Sequence, residues 1–535
     1  MRKLASAPPG HSRRHAAPAE EPSVDLGGYR QELRRTLGPF QVFAISFAFI
    51  SVAVGIFGTY DNVLQAAGPV GIWLWVIATV GQTLVALVIA QFAARIPLTG
   101  SSYQWASRLA NPRIGWGFGW LSFCYLGIAV VAAANAMASQ AFMPLVGLEP
   151  DEETARAITL VVLLVQAAVA IASTRIVGII NTSAVGVEVV IVGLLVIALL
   201  IAVAITGLGS VDNLTSRGVA AGKADYFAVG GGLMLAMITG LSTLVGFDAA
   251  ANLAEEAKDP YRTVPRAIVG SVAAAGLLGL LFQIALTIAI PDIPRISGSG
   301  SPVAAILHDQ LGRVMETTLL VAINFAFFAC GMVMMVTAAR LVFAMSRDAR
   351  FPAHRVMRRV DPRTHTPIPA TILIFGGGIV LMVGLPGQAL LELITASTIL
   401  PVLVYGATVA LYLAVRPRLG RKKGAFDLGR FEMPVAIAAL VWLVVAVCAG
   451  DAKGGARPRP DRRRLAPRGR AVLPRHADLR PPVLGGGARR GGRLQALSVC
   501  ERVRGTRRPA RRGSPTPAGA HVKPGQRVKP WCEIR

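Results

Sequence analysis

Apolar residues along this chain do not favour one helical face or alternate positions. They come in repeated runs long enough to cross a bilayer. At about 20 residues per span, eleven runs can be marked, at roughly 40–64, 70–94, 115–144, 156–173, 183–207, 226–253, 266–290, 314–346, 368–385, 388–414 and 433–450. The fourth, ninth and eleventh are short. The pattern predicts an all-α polytopic membrane protein with about 11 transmembrane helices. A hydrophobic share of 53%, a charged share of 16% and a mean hydropathy of +0.54 belong to the same class.

The polar connections set an orientation. Residues 1–38 carry Arg13, Arg14, Arg34 and Arg35 and lack an apolar signal core, so they read as a cytoplasmic tail. With the N-terminus inside, the inner connections are 95–113, the turn at Arg175, 258–266, the basic 347–363 loop and the 416–430 loop with Arg421, Lys422 and Lys423. The opposite loops, 65–69, 149–153, 208–225, 291–313 and the turn near Pro386, are poor in basic residues. This alternation satisfies the positive-inside rule and places residues 39–450 in the cytoplasmic membrane.

Two apolar runs are interrupted by polar and small residues. In the sixth, Ser242, Thr243, Gly246, Asp248 and Asn252 break the run. A carboxylate at membrane depth is costly and reads as functional, and glycine beside it lets a helix unwind where a cavity takes up the carbonyls. The alternative is an interfacial Asp248 capping a short helix. In the first run, Ser51, Gly55 and Gly58 stand near the middle. Paired interruptions in corresponding spans point to a transporter site between inverted repeats, with spans one to five and six to ten as the halves. Glu188, placed near the inner end of the fifth run, is either a proton-linked acid or an interfacial or helix-paired one. Asn324 in the eighth run is expected to bond between helices, and Pro401 to kink the tenth.

Other chemistries find little support. The five cysteines are scattered, with no CxxC pair or His/Cys cluster, so neither a metal site nor a disulfide framework is expected. His308, His354 and His365 lie in or beside loops, and no nucleophile–base constellation marks an enzyme. No cofactor motif is present.

The segment from Gly246 through Asp248, Glu255, Glu256 and Pro260 to Ile268 resembles the sixth-helix signature of the amino acid–polyamine–organocation permeases, closest to their amino acid/choline/GABA branch. Pro97–Ala106 resembles that family's loop after helix two, Ala338–Asp348 the end of helix eight, and Thr366–Pro369 the start of helix nine. The resemblance covers residues 40 to about 450. It implies a leucine-transporter-like core of five plus five helices in inverted repeat, with two further helices. It also implies that broken first and sixth helices bind substrate. Carried over by motif, Ser51, Ala53, Val54 and Gly55 line the first break, and Ser242, Thr243, Gly246, Phe247 and Asp248 the second. Many relatives carry Gly-Ser-Gly where this chain has Ala53, Val54 and Gly55, and an aromatic where it has Leu244. The bulkier first break leaves room for an amine or γ-amino acid substrate.

From Asp451 onward the composition changes. That stretch holds 23 Lys/Arg and 5 Asp/Glu, so 23 − 5 = +18 of the chain's formal +26 lies there. It contains no apolar run, although the family pattern calls for a twelfth helix, and eleven crossings would leave it on the outer side. It reads as a disordered polybasic tail for anionic lipid or nucleic acid, as the consequence of a last run that does not cross, or as out-of-frame translation of a GC-rich gene. Composition and topology break at the same residue, which favours the third. No specific nucleic-acid motif accompanies the charge.

The expected function is a secondary active permease moving amino acids or related amines by alternating access. Protons are the expected driving ion, with Asp248 and Glu188 as coupling candidates. A facilitator or exchanger for choline, GABA or polyamines, or a non-transporting sensor, is the alternative.

Overall fold

The computed structural model describes residues 28–455, apart from Arg30, Pro150, Val229, Gly300, Pro386, Gln388, 391–392, 395–398 and 421–424. Most of the basic segment after Gly450 and the loop residues Arg421, Lys422 and Lys423 therefore lie outside the described residues. Every marked apolar run is represented by helix. Nine helical stretches among the described residues are long and apolar enough to cross a membrane, and two apolar helices are shorter, Gly232–Thr243 and Ile368–Gly384.

In chain order the main helices are α1 (Pro39–Ile50), α2 (Val52–Ala66), α3 (Leu74–Arg95), α4 (Ser101–Leu109) and α5 (Pro112–Ala136). They continue as α6 (Glu152–Ala172), α7 (Thr174–Thr206), α8 (Gly232–Thr243), α9 (Ala249–Asn252) and α10 (Pro260–Ile288). Last come α11 (Pro302–Arg347), α12 (Ile368–Gly384), α13 (Leu400–Val415) and α14 (Glu432–Gly455). Local sequence explains several starts. Asn111, Asp151 and Ser173 each accept a hydrogen bond from a backbone N–H two or three residues on, with Arg113, Thr154 and Arg175 as donors.

Burial separates central from peripheral helices. The most apolar stretch of α1–α2 and that of α11 are each 72% buried, whereas that of α7 is 22% buried. Val190, Leu194 and Ile205 on α7 face outward at 59%, 61% and 80% exposure, which suits hydrocarbon rather than water. The first apolar run is broken in the middle of this central position. Ser51, fully buried, takes φ +37°, ψ 90°, and α1 ends there as α2 begins. A β-carbon-bearing residue held at positive φ costs about 1–3 kcal/mol and persists only where its surroundings enforce it.

Two expectations change. Pro401, expected inside the tenth helix, sits in the first turn of α13, where the missing N–H breaks no bond of that helix. The stretch 291–313, taken as loop, holds a short helix at Ile293–Ser297 and the first turns of α11, which kinks at Gly312 (φ +79°) before its membrane stretch.

Candidate functional site

The first break is stabilised from the fifth span. Glu188 stands fourteen residues into α7, about 21 Å along it, and so lies mid-helix rather than near its inner end. Its Oε1 accepts the Ala53 N–H at 2.9 Å and the Ser51 hydroxyl at 3.2 Å, and the side chain is 4% exposed. A helix start leaves N–H groups unmatched and carries partial positive charge. Glu188 thus supplies the anion that the start of α2 attracts.

The second break runs from Leu244 to Asp248 between α8 and α9. Gly246 adopts φ +80°, and a β-carbon there would sit 1.8 Å from the Phe49 ring, so the position requires glycine. Its N–H donates to the Tyr405 hydroxyl at 2.9 Å, and that hydroxyl donates to Asp248 Oδ1 at 2.8 Å. Asp248 Oδ2 accepts from Ser101 at 3.1 Å. The Ser46 hydroxyl donates to the Phe247 carbonyl at 2.7 Å and accepts the Ala250 N–H at 3.2 Å. The Phe247 ring stacks on Tyr405 with centroids 4.8 Å apart. Asp248 thus occupies the N-cap position of α9, but its carboxylate bonds to Tyr405 and Ser101 and makes no capping bond.

A cavity of about 280 Å³ lies between the two breaks, at the small end for small-molecule sites. Val54, Gly55, Ser242 and Thr243 line it, with Tyr125, Gln140 and Phe327 from outside the two interrupted runs. At the Phe49 and Ile50 end the walls are buried, while Gly58 and Thr59 are partly exposed and Gln140 is exposed. Access therefore comes from the end where α2 finishes. A second cavity of about 20 Å³, room for roughly one water, lies beyond Phe49 and Tyr125 and is bordered by Ser101, Asp248 and Tyr405.

On that closed side the motifs singled out in the sequence dock on one another. Arg340 of α11, fully buried, donates to Glu256 at 2.9 Å and to the Thr174 hydroxyl at 2.9 Å. Arg347 grips Glu255 with two bonds, at 2.9 and 3.0 Å, and Glu255 also accepts the Thr99 N–H at 3.0 Å. Asp348 accepts from Tyr103 at 2.7 Å, from Gln104 at 3.2 Å and from the Tyr29 hydroxyl. Residues 36–38 run beside the same segment, with Leu37 accepting the Lys258 N–H and Thr36 and Leu37 donating to the Glu256 carbonyl. The Arg347 guanidinium lies 3.8 Å from the centroid of the Tyr29 ring. Together these contacts form a latch over the closed end.

Four of the residues expected to bind substrate, Val54, Gly55, Ser242 and Thr243, do line the larger cavity. Ser51, Ala53, Gly246 and Phe247 stand behind it and shape the breaks, and Asp248 faces the smaller cavity. Asn324 donates within its own helix, to the Leu320 carbonyl at 2.8 Å, instead of bonding between helices. Sequence reasoning missed Tyr405, Ser101 and Tyr125. A tyrosine one turn after Pro401 was the available signal for the first.

Two discontinuous helices around a small cavity, inside a helical bundle with an apolar exterior, define a membrane transporter. The amino acid permease family profile matches residues 37–451, and the chain belongs to that family. It is 27% identical to the amino-acid permease BAT1 of Arabidopsis thaliana, over 78% of this chain and 85% of that protein. It is 26% identical to the GABA-specific permease of Saccharomyces cerevisiae, over 66% and 64%. To a putative polyamine transporter of Candida albicans it is 27% identical, over 68% of each.

Proposed function

We propose that this permease carries amino acids or related amines across the cytoplasmic membrane by alternating access, with its N-terminus inside and protons as the driving ion. The observation that carries the reading is the cavity between two broken helices, bounded at one end by the Phe49 and Tyr125 rings, with the latch beyond them. Transport requires that latch to open while the other end shuts, which the two breaks permit as hinges.

Proton coupling requires a group whose charge state changes with conformation. Asp248 fits best, because its hydroxyl partners come from α4 and α13, elements that must part for the closed end to open. The titratable groups facing it are Tyr405 and Tyr125. Cys330 is the one facing Glu188, the second candidate. Among the described residues neither acid has an ion-pair partner. Asp248→Asn should abolish accumulation driven by an inward proton gradient in proteoliposomes while leaving exchange of labelled for unlabelled substrate. Gradient-driven accumulation that survives this change removes Asp248 from the coupling role.

A further inference from the structure

The two breaks are electrically unequal, and the inequality bears on which head group the cavity accepts. Beside the cavity, α2 is the long helix that begins at a break, and its start is where an anionic ligand group would bind. That place is filled from within. Glu188 accepts the Ala53 N–H at 2.9 Å and the Ser51 hydroxyl at 3.2 Å, and it has no ion-paired cation among the described residues. Across the break, α1 and α8 end with their last-turn carbonyls, the negative ends of their dipoles. Asp248 adds a second acid. Among the described residues, the lining of the larger cavity includes no Lys, Arg or His to balance them. Thr243 contributes a hydroxyl that is buried (residue 5% exposed), borders the cavity and has no hydrogen-bond partner among the described residues.

We propose that Glu188 is a specificity-determining residue. It acts as the protein's own anion at the start of α2, so the cavity selects an ammonium head group with no adjacent carboxylate. The substrate class is then alkyl amines and diamines, in preference to α-amino acid zwitterions. An α-carboxylate entering beside Val54 meets the ionised Glu188 as a like charge and finds the Ala53 amide already engaged. An ammonium instead meets the Thr243 hydroxyl and two helix C-termini. Glu188 acts through α2 without bordering the cavity itself, which makes it a positioning residue.

This inference rests on the chain being a permease for amino compounds, and the test separates the two. The full chain is reconstituted, and kcat/KM is measured for 1,4-diaminobutane and for L-alanine, with protein-free liposomes as the blank. The expected wild-type preference for the diamine is at least about tenfold, the scale of like-charge discrimination. Glu188→Gln should shrink that ratio by about tenfold, chiefly through faster alanine uptake. Ser51→Gly, which removes one donor to Glu188 and suits the positive φ, should move the ratio the same way by less. Equal wild-type handling of both compounds, or a ratio unchanged in both variants, overturns the inference and leaves the permease reading standing. Uptake of no amine and no amino acid by the wild type overturns the permease reading, and the inference with it.

Discussion

Replacing Tyr405 with phenylalanine removes a single oxygen and keeps the ring that stacks on Phe247. That oxygen makes two bonds at the second break, donating to Asp248 at 2.8 Å and accepting from the Gly246 N–H at 2.9 Å. A hydrogen bond to a charged group contributes about 1.5–3 kcal/mol, and a buried N–H left without a partner costs about 1–3 kcal/mol. The loss should be about 3–5 kcal/mol, large against the 5–15 kcal/mol by which proteins are normally stable. The assay is unfolding in mixed micelles, run as a double-mutant cycle with Asp248→Asn. The cycle isolates the Tyr405–Asp248 bond, with an expected coupling of about 1.5–3 kcal/mol. A loss below about 0.5 kcal/mol with no coupling would refute the bridging role of Tyr405.

Two further changes probe the break and the latch. Gly55→Ala puts a β-carbon 2.1 Å from Thr243 Cγ2, so α2 and α8 must separate at the cavity wall; overpacking of this kind costs about 1–3 kcal/mol, and substrate uptake should fall while the purified protein stays monodisperse. Arg340→Met leaves Glu256 buried without its partner, for an expected loss of about 3–5 kcal/mol in the same unfolding assay. Arg340→Met combined with Glu256→Gln should recover part of it.

The membrane architecture was legible in the sequence because a bilayer imposes it. Each crossing needs a continuous apolar run, and the runs survive in the structure as helices, although some starts move by many residues, as where 314–346 becomes Pro302–Arg347 and 183–207 becomes Thr174–Thr206. The breaks were legible for a related reason: Ser51 and Gly246 are small residues in stretches where an unbroken helix would have used large apolar ones. Depth was not legible. Glu188 was placed near a helix end because loop positions were inferred from charge, whereas α7 begins only one residue after α6 ends, leaving Glu188 halfway along a 33-residue helix.

Partners across the fold were also hidden. Asp248 is bound by Ser101 and Tyr405, 147 and 157 residues away, and no local pattern links them. The family motifs could be recognised but not explained from sequence. Glu255 and Glu256 look like an ordinary charged helix end until Arg347 and Arg340 are found against them, 92 and 84 residues later. The departure of Ala53 and Val54 from a glycine-rich break becomes understandable in the same way. The Ala53 N–H is satisfied by Glu188, and the Val54 side chain forms cavity wall.

The central claim is that this chain moves a small amino compound through the cavity between its broken helices. The most direct test is uptake into proteoliposomes of a labelled panel of neutral, basic and γ-amino acids, choline and polyamines, with and without an inward proton gradient. The account predicts saturable accumulation of one amino-bearing class, enhanced by the gradient and lost in Gly55→Ala. Absence of saturable uptake across the whole panel, or uptake indifferent to filling the cavity wall at Gly55, would contradict it.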